Sequence, residues 1–143
     1  MGATPDVWER GASYEPYIGR WSRLVAKVFV NWLQLPARGR WVEVGCGTGA
    51  LTETILTLAR PASVHAVDAS EGYVAFARRT IADDRVRFEV ADARRLPCED
   101  STSDAAVSGL VLNFVPEPER MAVEMAVPGR CAVRSEAGSR FSC

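Results

Sequence analysis

The stretch VEVGCGTGAL, residues 42–51, places glycine at three alternate positions directly after an apolar run. These glycines are Gly45, Gly47 and Gly49, and a helical pattern begins immediately behind them. Glycine inside a regular element costs roughly 0.5–1 kcal/mol relative to alanine, so three of them in so short a stretch require a reason. A tight strand-to-helix turn needs only one or two glycines. The stretch therefore predicts a loop whose backbone closely approaches a bound ligand.

Periodicity on either side of this loop predicts strands that alternate with helices. Helical spacing covers residues 14–35, 50–60, 71–82 and 117–127, and strand patterns cover 39–45, 63–70, 85–92 and 103–115. This alternation predicts an α/β fold, a doubly wound, Rossmann-like and mostly parallel sheet with helices on both faces. The pattern stops after the fourth or fifth strand, because RCAV at 130–133 is the only later segment that resembles a strand.

This pattern divides the chain into three parts. We expect an N-terminal segment with a lid helix at 1–38, a ligand-binding domain at 39–128 and an irregular tail at 129–143. We also expect the apolar positions of the first helix to form an amphipathic face, made by Tyr17, Trp21, Leu24, Val25, Val28 and Trp32.

Composition narrows the class of protein. The 143 residues are 48% hydrophobic and 24% charged with a net charge of −1, which gives no reason to expect a nucleic acid or a membrane surface as partner. The start of the chain lacks the pattern of a secretory signal. The four cysteines lack metal-site spacing, so we expect no metal and a cytoplasmic location. His65, the only histidine, lies in an apolar run and is expected to be structural.

Two kinds of ligand fit the glycine loop. Gly45, Gly47 and Ala50 satisfy the dinucleotide fingerprint G-x-G-x-x-A, with Asp68 near the distance expected of a ribose-binding acid. Glu43 argues against a dinucleotide, because that position usually carries an apolar residue. An acid at this position can hydrogen-bond the loop amides or attract a cationic ligand. Asp92, which follows the third strand, is a second acid that argues the same way.

Four segments together resemble a known family. VEVGCGTGALTE, AVDAS, FEVADARRLP and SDAAVSGLVLNFVPEP resemble, in order and spacing, the motifs of class I S-adenosylmethionine-dependent methyltransferases, nearest to the type 11 small-molecule group. YIGRWSR at 17–23 is similar to the N-terminal helix of that group, so the resemblance covers residues 14–127. It implies S-adenosylmethionine as cofactor and a small-molecule acceptor as substrate.

The resemblance also implies roles for individual residues. The loop 45–49, with Cys46 inside it, would lie along the methionine part and ribose of the cofactor, with Glu43 beneath. Asp68 would bind both ribose hydroxyls. Other positions implied at the cofactor are Ala69 and Ser70 beside the adenine, Asp92 and Ala93 at its amine edge, Asn113 and Phe114 near the sulfonium, and Tyr14, Arg20 and Trp21 in the lid. Arg20 would suit the cofactor carboxylate. No residue is identified as a catalytic base.

The tail departs from the family pattern. Residues 127–143, VPGRCAVRSEAGSRFSC, show no period, where members of the family continue into further strands and a helix. We interpret the tail as truncated or out of frame, which would remove much of the acceptor pocket. Three functions stay open: a methyltransferase, which a homodimer covering the exposed sheet edge could complete; a catalytically inactive cofactor-binding fragment; and an NAD-binding module.

Overall fold

A parallel sheet with helices packed on it organises the chain. The computed structural model describes residues 20–97, 103–109, 111, 114–126 and 132–133. The strands are β1 (Arg40–Val44), β2 (Ser63–Asp68), β3 (Val86–Val90), β4 (Ala105–Val107) and β5 (Ala132–Val133). The helices are α1 (Arg20–Leu33), α2 (Ala50–Thr54), α3 (Glu71–Thr80) and α4 (Pro118–Met125), and α2 continues into a π-helical segment, Ile55–Ala59. In the described part of the chain, no helix is long and apolar enough to cross a membrane.

The strand order β3-β2-β1-β4-β5 confirms the predicted fold class. All strand pairs are parallel, and β1 lies between β2, with which it forms five residue pairs, and β4, with which it forms three. The chain therefore builds outward from β1 in one direction and then in the other. In such sheets, ligands bind beyond the carboxyl end of the strands at this switch point, which is where β1 runs into the glycine loop. The RCAV segment does provide a short fifth strand, paired with β4.

Side chains alternate between two apolar clusters, one on each face of the sheet. The larger cluster joins α1, α2 and α3 to the sheet and includes Phe29, Trp41 and Ile55. The smaller one joins α4 to the sheet through Met121 and Met125, which pack with residues of β1, β2 and β4. We call these the three-helix face and the α4 face.

Two sequence-based predictions of elements are wrong. The helical spacing of residues 50–60 predicts that Leu51, Ile55 and Leu58 share one helical face, but Leu56 is buried and Leu58 is exposed. The cause is the switch to π-helical geometry after Thr54, which changes the number of residues per turn. The strand expected over 103–115 is β4 alone among the described residues. The chain leaves the sheet at Ser108, whose hydroxyl donates to the Val44 carbonyl at 2.8 Å.

The side of α1 that packs on the core is not the apolar side that the sequence pattern predicts. Its buried residues are Ala26, Phe29, Val30 and Leu33. The sequence pattern is compatible with Trp21 either in the core or in the lid, and its exposure of 68% excludes the core. The remaining apolar positions of the expected amphipathic face are exposed as well, apart from Tyr17, which lies outside the described residues together with Tyr14 and Asn113.

Candidate functional site

A cavity of about 390 Å³ opens where the glycine loop leaves β1. Its walls come from α1, the glycine loop, the ends of β1 and β2, and the segments that follow β3 and β4. Of the predicted site residues, those that line it are Glu43, Gly45, Cys46, Gly47, Asp68, Ala69, Ala93 and Phe114. Residues 43–47 and 68–69, far apart in sequence, are adjacent here because β1 and β2 pair in parallel. The fold thus gathers most of the predicted positions around one space.

The three loop positions require glycine for different physical reasons. All three have positive φ angles, 76° at Gly45, 54° at Gly47 and 95° at Gly49. A Cβ on Gly45 would lie 2.5 Å from both γ-methyl carbons of Val111, and one on Gly49 would lie 2.5 Å from Cδ1 of Ile81. A Cβ on Gly47 would meet nothing within 4 Å. Packing inside the protein therefore accounts for Gly45 and Gly49, whereas Gly47 lines the cavity beside open space.

Backbone hydrogen bonds hold the loop against the end of β2. The amides of Gly45 and Cys46 both donate to the Val67 carbonyl, at 2.8 and 2.9 Å. The Asp68 carboxylate accepts from the Gly47 amide through one oxygen and from the Ser70 amide through the other, each at 2.9 Å. Each carboxylate oxygen has a further lone pair. Asp68 can therefore fix the loop and still accept from hydroxyl groups of a ligand.

Glu43 is a buried acid in the cavity wall. It is 1% exposed, and its carboxylate accepts from the hydroxyl of Thr52 on α2. Burial raises the pKa of Glu43 from 4.5 to about 8; the Thr52 hydrogen bond lowers it, and the negative charge of Asp68 raises it further. Its charge therefore changes near neutral pH. A cation in the cavity would favour the ionised form.

The charge of the cavity favours a cationic ligand. Glu43 and Asp68 are the only acidic residues among the described lining residues, and no lysine, arginine or histidine lies among them. Such a lining suits a positively charged ligand better than the pyrophosphate of a dinucleotide. Cys46 also lines the cavity, but burial and both carboxyl groups raise the pKa of its thiol, so it is an inert wall residue.

Five predicted positions in the described residues do not line the cavity, and one of them is Trp21 of α1, which is exposed. Ser70, a residue type favoured at helix N-termini, caps α3 by accepting from the Tyr73 amide at 3.3 Å. Gly49 packs against Ile81, and Arg20 is exposed at the start of α1. Asp92 is held by the Arg94 guanidinium at 2.8 Å, which keeps the pKa of Asp92 low, at about 2.

Arg94 directs Asp92 away from the cavity. Its guanidinium also binds Glu117 at 2.8 Å, so one arginine ties the segment after β3 to the start of α4. The neighbours of Asp92, Ala91 and Ala93, do line the cavity. The implied contact of Asp92 with an adenine amine stays a prediction that would require the Asp92 side chain to leave Arg94.

Some cavity residues were not expected from the sequence. Ser22, Val25 and Ala26 of α1, Tyr73 of α3, and Gly109, Val111 and Val115 after β4 all contribute. The sequence predicts a lid helix here with Arg20 and Trp21 at the cofactor, whereas α1 lines the cavity through Ser22, Val25 and Ala26. His65 lies elsewhere, on β2, where its Nε2 is 2.8 Å from Glu89 Oε2 on β3. No cluster of acidic, cysteine or histidine residues suited to a metal occurs in the described ranges.

Comparisons with known proteins agree with this geometry. A family model described as a methyltransferase domain matches residues 42–127. The demethylmenaquinone methyltransferase of Clavibacter sepedonicus is 40% identical over 82 residues, which is 57% of this chain and 33% of that protein. The chain thus spans about a third of the length of this relative.

Solved structures share the fold. A putative S-adenosylmethionine-dependent methyltransferase from Methanococcus maripaludis superposes with a TM-score of 0.74 at 18% identity, over 94% of this chain and 67% of that one. The [4+2]-cyclase SpnF superposes with a TM-score of 0.60 at 31% identity, over 75% of this chain and 39% of that one. The fold therefore occurs both in a protein described as a methyltransferase and in one described as a cyclase.

Proposed function

The chain belongs to the methyltransferase domain family, and on that premise we propose that it binds S-adenosylmethionine in the cavity and transfers a methyl group to a small-molecule acceptor. The observation that carries this proposal is the position and charge of the cavity. It lies at the switch point of the sheet, beside the glycine loop, and contains two carboxyl groups and no basic side chain in its described lining.

Each group in the cavity has a role in this proposal. The cofactor supplies a methyl group on a positively charged sulfur. Asp68, fixed by the amides of Gly47 and Ser70, accepts from the ribose hydroxyls in charge-assisted hydrogen bonds. Glu43 would provide negative charge beneath the loop once the bound cation favours its ionised form. Gly47 leaves room for the ligand against the backbone. The adenine would lie near Ala69 and Ala93.

The transfer itself asks little more of the protein than alignment and exclusion of water. Phe114 lines the cavity and is 82% exposed, so its ring is available to cover a ligand. An aromatic face near a sulfonium attracts the positive charge. The described residues after β4, which are Gly109, Val111, Phe114 and Val115, and the N-terminal half of α1 would then form the side from which the acceptor enters. No residue of the described cavity is assigned as a base.

A second function is favoured by one observation. The [4+2]-cyclase SpnF, 31% identical over the matched part, shares the fold, so the fold alone does not imply methyl transfer. The second candidate is therefore a chain that binds the cofactor without catalysis. The NAD-binding alternative has less support, because the described lining of the cavity offers no basic side chain to a pyrophosphate and Glu43 stands where a dinucleotide-binding strand usually carries an apolar residue. Pairing of a second copy at the β5 edge of the sheet stays a prediction, which the solution mass of the chain checks.

A turnover assay distinguishes methyl transfer from binding alone. The purified chain is incubated with S-adenosylmethionine and a panel of small-molecule acceptors, and S-adenosylhomocysteine is measured. We expect formation of this product with at least one acceptor and its loss in Asp68→Ala. Saturable cofactor binding with no product from any acceptor would contradict methyl transfer and support the binding function.

A further inference from the structure

One side of α1 exposes a continuous row of large apolar side chains, the α1 stripe, formed by Trp21, Leu24, Val25, Val28 and Trp32. Trp21 and Val28 are 68% and 72% exposed, and the other three are more than two-fifths exposed. Their spacing of three and four residues places them on one helical face. At 1.5 Å per residue the stripe is about 16 Å long.

The stripe is separate from the face that stabilises the fold. Ala26, Phe29, Val30 and Leu33 already attach α1 to the core. Single exposed apolar residues are ordinary, but a contiguous patch of this kind marks a site of interaction. Two tryptophans at its ends are typical of surfaces that meet the boundary between water and an apolar phase.

The charges beside the stripe indicate what it meets. The helix sequence RWSRLVAKVFVNWL contains three basic residues and no acidic one. Arg20 and Lys27 are exposed, and Arg23 is partly compensated by Glu53 at 3.4 Å. The net charge of −1 over the whole chain therefore conceals a locally positive helix. A second copy packed on the stripe would bring these like charges together, which disfavours self-association through this face.

An anionic lipid surface complements both features. Helices that lie in a membrane interface combine Trp, Phe and Leu on one side with Lys and Arg on the other. From this combination we propose that α1 docks on anionic lipid, with the α1 stripe inserted at the headgroup boundary and its basic residues against the phosphates. The whole-chain argument against a membrane partner does not apply to this helix.

Docking would also orient the cavity. Val25 belongs to the stripe and lines the cavity, and Ser22 and Ala26 beside it line the cavity too. The helix that meets the lipid would thus hold the mouth of the cavity close to the surface. This consequence rests on the proposed function, because it favours an acceptor taken from the lipid phase, whereas the docking itself does not depend on methyl transfer.

Vesicle co-sedimentation tests the docking. The full chain is mixed with vesicles of phosphatidylcholine containing about one-third phosphatidylglycerol, and with vesicles of phosphatidylcholine alone. We expect binding to the anionic vesicles that weakens with added salt. Val28→Glu should reduce the partition coefficient at least tenfold and Lys27→Gln about fivefold. Val123→Glu on α4 is the matched control, because Val123 is 68% exposed on another helix and should leave binding unchanged.

The outcomes separate lipid from other partners. Thermal unfolding of each variant establishes that it is folded, and light scattering gives its solution mass. Equal binding to neutral and anionic vesicles, no binding at all, or an equal loss in Val123→Glu would each overturn the proposal. A dimer that Val28→Glu dissociates would assign the stripe to a second copy and overturn it as well. Cofactor titration of Val28→Glu is independent of these results, so failure of the proposed function is seen separately.

Discussion

The two faces of the sheet are built unequally. The three-helix face buries Trp41, Ile55 and Phe88 beneath α1, α2 and α3, whereas α4 is the helix packed on the other face in the described residues. Glu43 belongs to the three-helix side, where Thr52 of α2 contacts it. A buried acid at this position requires a well-packed environment, since a loosely covered one would hydrate it. The comparison teaches that the site depends on the better covered face.

On the α4 face of the sheet, the strands that α4 does not cover carry polar residues. His65 Nε2 lies 2.8 Å from Glu89, and Arg87 lies 3.1 Å from the same carboxylate. These side chains remain partly exposed, which explains why β3 alternates between polar and apolar residues while β1 does not. The polarity of a strand thus reports how completely each face is covered.

Truncation of one core residue on each face tests the asymmetry most strongly. Ile55 and Met121 are both fully buried. We expect Ile55→Ala to lower the free energy of unfolding by about 4 kcal/mol and Met121→Ala by about 2 kcal/mol. The neighbours of Ile55 are held between three helices and the sheet, so they cannot move to fill the cavity that the substitution leaves. The neighbours of Met121 lie under a single helix and can fill more of theirs. Urea denaturation measures both. A larger loss in Met121→Ala would break the comparison.

Alanine substitutions at two loop glycines compare a position fixed by packing with one that faces the cavity. Gly45→Ala combines a positive φ with a clash against Val111, so we expect a loss of about 3 kcal/mol in stability. Gly47→Ala has the unfavourable φ without the clash and should lose about 1 kcal/mol, yet weaken S-adenosylmethionine binding about tenfold because its methyl group occupies cavity space. Urea denaturation and ligand titration separate the two effects. Equal stability losses would contradict the distinct reasons given for these glycines.

The pH dependence of stability tests the burial of Glu43. Its pKa is about 8 in the folded state and 4.5 ordinarily, so the folded state binds the extra proton between these values. Stability from this group is complete below pH 4.5 and is lost as pH rises towards 8, by about 2 kcal/mol from pH 5.5 to 7. Urea denaturation at several pH values should show this fall in the wild type but not in Glu43→Gln. The same slope in both proteins would place the titration elsewhere.

The smallest effect is expected on the α4 face. Glu89 forms a partly exposed ion pair with Arg87 and a hydrogen bond with His65, so Glu89→Gln should cost about 0.5 kcal/mol. The cost should shrink at 1 M salt, where exposed charges are screened. Urea midpoints at two salt concentrations measure it, with Arg85→Gln at a separate ion pair as the control. A loss comparable to that of Met121→Ala would show that this pair belongs to the core.

The sequence predicts loops, strand ends and caps of this molecule better than it predicts which side chains pack against each other. The glycine loop, the end of β2 at Asp68 and the cap at Ser70 follow from residue chemistry within a few positions. Periodicity located α1 but not which of its two apolar sides meets the core, because both satisfy the same spacing. The π-helical turn that buries Leu56 depends on packing with no signal in the sequence.

Site residues show the same limit. Asp68 reaches the cavity because it is the last residue of β2, and the strand order places the end of β2 beside the glycine loop. Asp92 does not, because Arg94, which also binds Glu117, holds the Asp92 side chain, and the chain offers no pattern by which this competition could be foreseen. Positions set by strand ends were therefore predictable from the sequence, whereas the direction taken by a freely rotating side chain was not.

Calorimetric titration of the 143-residue chain with S-adenosylmethionine tests the central claim most directly. NAD is the control ligand, and thermal unfolding confirms that each variant is folded. We expect saturable binding of S-adenosylmethionine, none of NAD, and affinity about 100-fold weaker in Asp68→Ala, with a smaller loss in Asp68→Asn because an acceptor oxygen remains. Preference for NAD, or undiminished binding of S-adenosylmethionine by Asp68→Ala, would contradict the assignment of this cavity.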